Sequence, residues 1–312
     1  MTGARICPLL APMTAQAPPL PDAHPITAAF WMCGAIASFT LMAISGREIQ
    51  AELNSFELMF WRSLIGFAII GTLVLSLHGR AVWPAIRPTR PRLHLARNIF
   101  HFAGQNLWFY GIMAIPLSQL VALEFTSPIW VAVLAPLVVG EVFTRRRLWV
   151  AALGFAGILI VAQPGVQPLS SGHLAGILCA VAFAMNLLLT KRIMRHDKVL
   201  CVLFWMTASQ TLFGLALAQW GGFTWPSAAI RGWIVLVGLT GLSAHYCLTS
   251  ALALAPATIV APMEFFRLPI IALVGMWLYA EALDPFVFLG GAVIFAANWL
   301  NLNTRRAPVP AP

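Results

Sequence analysis

Apolar stretches long enough to cross a bilayer follow one another along almost the whole chain. A spanning helix needs about 20 apolar residues, within a range of about 17 to 25. Ten stretches meet that length: 26–45, 56–77, 95–114, 117–138, 147–163, 172–190, 200–219, 232–254, 257–279 and 285–302. Short polar or proline-bearing breaks separate them, such as "MAIPLS" and "ALAPAT". The expected fold is an all-α integral membrane protein with ten transmembrane helices.

The charge content points the same way. Only 9% of the 312 residues are charged, against about 25% in an ordinary globular domain. A soluble chain this poor in charge could not cover its own surface. The formal net charge is +9, which would suit nucleic acid if the basic groups formed a stripe with interleaved aromatics. They sit instead in short clusters between the apolar runs, so no nucleic-acid partner is expected and the lipid bilayer is. With the N-terminus placed in the cytoplasm, the inner side receives fourteen Lys and Arg, from Arg5 through Arg145–Arg147 and Lys191–Lys198 to Arg305 and Arg306. The outer loops hold only Arg47 and Arg231. By the positive-inside effect both termini should be cytoplasmic.

Residues 1–24 are rich in Pro and Ala and read as a disordered tail, and 305–312 as a C-terminal tail. The first apolar run is too long for a typical signal-peptide core. Four of the five cysteines lie in or beside apolar runs and no CxxC occurs, so no metal or cofactor is expected. No GxxxxGK[ST] or HExxH appears either, which removes the sequence support for an ATP site or a metal enzyme. Both lysines, Lys191 and Lys198, lie in or beside one loop.

The chain also repeats itself. "AIPLSQLVALEF" (114–125) aligns with "LAPATIVAPMEF" (254–265), matching Pro116 to Pro256 and Glu124 to Glu264 at an offset of 140. Glu141 matches Glu281 at the same offset. "FWR" (60–62) matches "FWM" (204–206) at 144, and "SGR" (45–47) roughly matches "TKR" (190–192) at 145. One unit is duplicated, over 25–165 and 170–304. Each copy holds five spans, an odd number, so the second copy enters the membrane from the opposite side. Inverted repeats of this kind are characteristic of secondary transporters.

Ten helices, two inverted five-helix repeats and cytoplasmic termini resemble the EamA-type branch of the drug/metabolite transporter (DMT) superfamily. So does a Pro at the turn before the fourth helix of each repeat with a Glu where that helix ends. "LVALEFTSPIWVAVLAPLVVGE" and "APMEFFRLPIIALVGMWLYAE" are similar to the YddG-like exporters of aromatic and other amino acids. That resemblance implies an inner-membrane exporter with a central cavity between its halves.

Four charged residues fall inside spans and carry the expected charged gate or substrate contacts: Arg62, Glu124, Glu264 and Arg267. Ionisable groups in a membrane are costly and face a cavity or one another. Glu264 and Arg267 are one helical turn apart, so they can bind the two ends of a zwitterion, form a proton-sensitive gate, or be a static pair. Glu124 with Arg62 is a second candidate pair. Glu57, at a helix boundary, can snorkel to the interface.

His101, Gln105 and Trp108 share one helix face, with Tyr110 on another. By the repeat offset Gln105 matches His245, whose neighbours Tyr246 and Thr249 extend the same helix. With Asn186 these residues are the expected substrate cavity, although membrane helices also use such groups to bond to each other. Pro128, Pro262 and Pro269 are the expected bends. The expected function is a secondary carrier that exports amino acids or related small molecules by alternating access. An intramembrane enzyme or lipid-modifying protein, or a transporter of other metabolites or drugs, is the alternative. The fold closes within one chain, so a monomer is expected.

Overall fold

The computed structural model describes residues 24–139, 145–164, 170–219, 222–255, 260 and 263–303. The tails, Glu141, Pro256 and Pro262 lie outside these residues. The described chain is helical, with no β-strand: α1 (Pro25–Ile49), α2 (Ser55–His78), α3 (Val82–Ile86), α4 (Pro91–Ala114), α5 (Leu117–Glu124), α6 (Ser127–Val139), α7 (Arg145–Ala162), α8 (Ser171–Ile193), α9 (Val199–Ala218), α10 (Arg231–Leu254), α11 (Arg267–Tyr279) and α12 (Pro285–Asn303).

Among the described residues, six segments are long and apolar enough to cross a membrane: α1, α2, α5 with α6, α8, α9 and α10. Shorter apolar helices occupy Leu148–Ala162, Arg267–Tyr279 and Pro285–Leu300. α4 is as long as α2 but buries a row of polar side chains, His94, Arg97, Asn98, His101, Gln105 and Asn106.

Local chemistry explains the helix ends. Proline opens α1 and α4 at positions that need no N–H donor. Asn54 and Glu57 form a reciprocal cap on α2. Glu57 therefore does not snorkel. It is fully buried, accepting from the Asn54 N–H at 2.8 Å and from the Thr224 N–H at 2.6 Å.

The packing follows a pattern that crosses the chain's midpoint. α1 lies along α10 and α4 along α8; α2 packs on α9, α7 on α12, and α5 on α11. The α7–α12 contact is close enough for backbones to touch. A Cβ added to Gly290 would lie 2.8 Å from the Gly157 carbonyl oxygen, and one added to Gly157 would lie 2.6 Å from Ile294 Cγ1. Small residues are what allow such an approach between membrane helices.

Polar clasps fasten both ends of the bundle. Arg47 was expected in a loop; it stands in the last turn of α1, largely buried. Its Nη1 meets Glu281 Oε1 at 2.5 Å, and its Nε donates to the Ile112 carbonyl at 2.8 Å. Glu281 Oε2 accepts from the Leu117 N–H at 2.9 Å. At the opposite end Asp197 accepts from His94 Nε2 at 2.8 Å and from the Thr89 N–H at 3.1 Å. Cys201 completes a cluster whose donor atoms lie within 4.8 Å of one another. Its thiol donates to the Ile86 carbonyl at 3.2 Å, so His94 and Asp197 join α4 to the α8–α9 turn while Cys201 joins α9 to α3.

Candidate functional site

The apolar stretch 117–138 is broken between two helices, and a turn at 265–266 precedes the helix that starts 140 residues on. α5 stops at Glu124 and α6 begins at Ser127; α11 begins at Arg267, 140 residues on. Pro128 and Pro269 sit in the first turns after the breaks, where their missing N–H groups cost nothing. The breaks meet: the rings of the equivalent residues Phe125 and Phe265 lie 4.4 Å apart.

Arg267, 2% exposed, reaches across this junction. Its Nη2 lies 2.7 Å from Glu124 Oε2, an ion pair between the repeats. Its guanidinium sits 4.9 Å from the Phe39 ring centre and 5.0 Å from that of Phe125. Trp108 Nε1 donates to the same Glu124 oxygen at 2.9 Å. Arg267 therefore pairs with Glu124 rather than with Glu264, which stands half-buried close enough to feel both charges. The helix break separates Glu264 from the regular turn that would have brought the two together.

Arg62 is not the partner of Glu124. Its Nη1 donates to Gln105 Oε1 at 2.9 Å, one turn from Trp108 along α4. Arg62 also lines a small open crevice of about 20 Å³, room for a water or so, where α2, α4, α9 and α10 converge. The lining repeats the internal duplication. Arg62, Ser63 and Gly66 face their counterparts Met206, Thr207 and Gln210; His101 faces its counterpart Gly241. His245, the counterpart of Gln105, closes the set. His101 Nδ1 and Gln210 Nε2 are hydrogen-bonded, and the His101 and His245 rings are 6.0 Å apart.

The structure thus brings Arg62, His101, Gln105 and His245 into one cluster, and Trp108, Glu124 and Arg267 into another one turn away. It leaves three expected cavity residues elsewhere. Tyr110 is exposed, with its hydroxyl 2.7 Å from Ser171 Oγ. Tyr246 is exposed with its ring edge-on to Trp31. The Thr249 hydroxyl bonds back to the His245 carbonyl at 2.7 Å, as threonine does in a helix. Asn186 is half-buried, and its Oδ1 has no partner among the described residues.

Two site residues escaped the sequence reading. Arg97 is buried one turn before His101, with Nε donating to Thr190 Oγ1 and Nη1 to Asn98 Oδ1, both at 3.1 Å. Its i, i+4 spacing to His101 was the available signal. Gln210 sits among apolar neighbours, and nothing local marks it.

Comparison with known proteins decides the family. The model of the EamA-like transporter family matches residues 26–163 and again 170–303. The chain belongs to the EamA-like transporter family. A riboflavin transporter of Rhizobium johnstonii is 30% identical over 291 residues, covering 92% of this chain and 95% of that one. An S-adenosylmethionine uptake transporter of Rickettsia felis is 23% identical over 90% of this chain and 94% of its own. A pseudopaline exporter of Pseudomonas aeruginosa is 27% identical over 87% and 95%. This EamA-like protein is accordingly a multi-pass membrane transporter of small molecules, and its two family matches adjoin between α7 and α8.

Proposed function

We propose that the chain is a secondary carrier of the bacterial inner membrane that moves a small amphipathic metabolite by alternating access. Neutral and aromatic amino acids are the first substrate class to test, in the export direction. The observation that carries the reading is the crevice lined by repeat-equivalent residues. A site at the junction of two equivalent halves keeps its place while the halves exchange roles, which is how repeat-built carriers expose one site to two sides. The cross-half packing supports a pseudo-two-fold axis: α1 on α10 is the counterpart of α8 on α4, and α2 on α9 and α7 on α12 join counterpart to counterpart. Ten spans, an inverted second half and cytoplasmic termini belong to the same proposal.

The relatives widen the substrate list. Riboflavin and S-adenosylmethionine name two of them, and the named directions include both uptake and export. The test is counterflow in proteoliposomes preloaded with phenylalanine, methionine, threonine, a dicarboxylate or riboflavin, with no proton gradient. Saturable entry of label against one class identifies the substrate and a carrier mechanism. Entry that is linear in concentration indicates a channel. No exchange with any of them defeats the amino acid assignment and turns attention to product formation.

A further inference from the structure

The crevice where the helices converge holds about 20 Å³, room for a water or so. A metabolite enters it only if the two repeats part at one end. What joins the repeats decides where they can part. Apolar side chains join α1 to α10, and close backbone contact joins α7 to α12. At the end where α1 finishes, the joints are polar side chains instead. Water replaces a polar joint at small net cost, but it does not replace apolar packing.

Arg47 and Glu281 are the centre of that end. Arg47 belongs to the first repeat and Glu281 to the second, and their side chains are 15% and 12% exposed. Glu281 holds the first repeat with both oxygens. Oε1 meets Arg47 Nη1 at 2.5 Å, and Oε2 accepts from the Leu117 N–H at 2.9 Å. The Arg47 guanidinium lies 4.4 Å from the Tyr279 ring centre, and the Tyr279 hydroxyl donates to Glu48 Oε1 at 3.0 Å. The backbone is shaped for this contact. Ala280 is left-handed, with φ 52°, a conformation that costs a residue with a Cβ and persists only where its surroundings fix it. It turns the chain back after α11, and the Glu281 N–H donates to the Gly275 carbonyl at 3.1 Å. A Cβ added at Gly275 would collide with Glu281 Oε2, so glycine leaves the niche that the carboxylate fills. The arrangement has an echo at the opposite end. Arg192, the repeat counterpart of Arg47, is buried there and donates across the halves to the Val138 carbonyl at 3.3 Å.

Taking the carrier reading as given, we infer that the Arg47–Glu281 pair is the latch of a gate. It holds the two repeats together at the end of α1 and releases when the carrier opens to that side. On the proposed topology that side is the outer one. Leu117 and Tyr279 are positioning contacts of the latch, and Gly275 is its keeper.

The test reads access and transport separately, on the full-length protein. For access, Ser63, which lines the crevice, is replaced by Cys as a reporter. A membrane-impermeant maleimide is applied to right-side-out and to inverted vesicles, and the labelling of protein without the reporter is subtracted. Glu281→Gln and Arg47→Gln should each raise reporter labelling from one side only. The expected rise is about fivefold or more, between the worth of an exposed ion pair and that of a charged hydrogen bond. Arg47→Lys should raise it less, because it keeps the charge without the fork. Labelling that is unchanged, or that rises equally from both sides, overturns the latch. For transport, Arg47→Cys is combined with Glu281→Cys, and the two thiols are bridged by a short bifunctional reagent that a reductant cleaves. Bridging should stop counterflow and reduction should restore it. A bridged protein that exchanges substrate as fast as the reduced one overturns the latch and leaves the carrier standing. Bridged and reduced forms are one protein, so this comparison holds even where a single variant is unstable. Absence of counterflow from the wild-type protein defeats the carrier reading, and the one-sided labelling then decides the latch by itself.

Discussion

Arg267 holds a full charge almost entirely out of contact with solvent, between two aromatic rings and against Glu124. Removing one member of such a pair strands the other, at a cost of about 3–5 kcal/mol. Arg267→Gln and Glu124→Gln should each lower the denaturation midpoint of the purified protein sharply. The double variant should lose less than the two single losses combined, and a cycle of chemical denaturation curves would read the coupling. Additive losses would mean that the two residues act separately. At this scale the sequence offered Glu264 for Arg267 and Arg62 for Glu124, and the structure pairs Arg267 with Glu124. Glu264 and Arg267 are neighbours in the chain, and spacing reveals only neighbours on one helix. The true partner of Arg267 is 143 residues away across a helix break, and no local pattern reports that contact. Glu57 was misread for a related reason. A boundary glutamate looks free to reach water, yet the asparagine three residues before it makes a reciprocal cap that holds it inside.

The elements join through two kinds of contact, and each predicts something different. Where α7 crosses α12, backbone meets backbone at Gly157 and Gly290. Gly290→Ala places a methyl group against a carbonyl oxygen that cannot swing aside. It should destabilise by about 1–3 kcal/mol, the usual range for overpacking, seen as a lower melting temperature with transport per folded molecule retained. Where α4 meets the α8–α9 turn, the contact is polar. Burial alone would raise the Asp197 carboxyl; hydrogen bonds from His94 and from Thr89 outweigh it and hold the pKa below the ordinary carboxylate value. A depressed folded pKa stabilises above the unfolded value of about 3.9 and loses that stabilisation as pH falls through the folded one. The melting temperatures of wild type and Asp197→Asn should differ near neutral pH and converge in strong acid. A difference unchanged in strong acid would rule out the carboxylate as its source. The helices themselves were readable in advance, because apolar run length and proline punctuation are local properties. The break within 117–138 was legible only as a bend at Pro128, since the free turn before it depends on Phe265 and Arg267 arriving from the other repeat.

For the whole molecule the repeat offset was the most informative reading, because it places residues in space without any contact being visible. Gln105 and His245 were paired by that offset before they were seen beside one crevice with Arg62. Tyr110, Tyr246 and Thr249 were added by adjacency on a helix and stand apart from it, since polarity within a span does not say which way a side chain faces. The cross-half packing gives the molecular prediction. Residues 1–165 and 170–312 should each be lost when expressed alone, and should restore counterflow when expressed together. Activity from either half by itself would contradict the pairing of α1 with α10 and of α8 with α4.

That same pairing sets a schedule for biosynthesis. α1 is made first, and the helix along which it packs emerges about 180 residues later, roughly 10 to 40 s at ordinary rates of synthesis. Throughout that interval Arg47 stands in the membrane without Glu281, and the buried face of α1 meets lipid in place of protein. A ribosome that stalls before residue 231 leaves a chain whose first helix lacks its main neighbour and keeps only its contacts with α4. Membrane proteases should clear such fragments far faster than the finished protein.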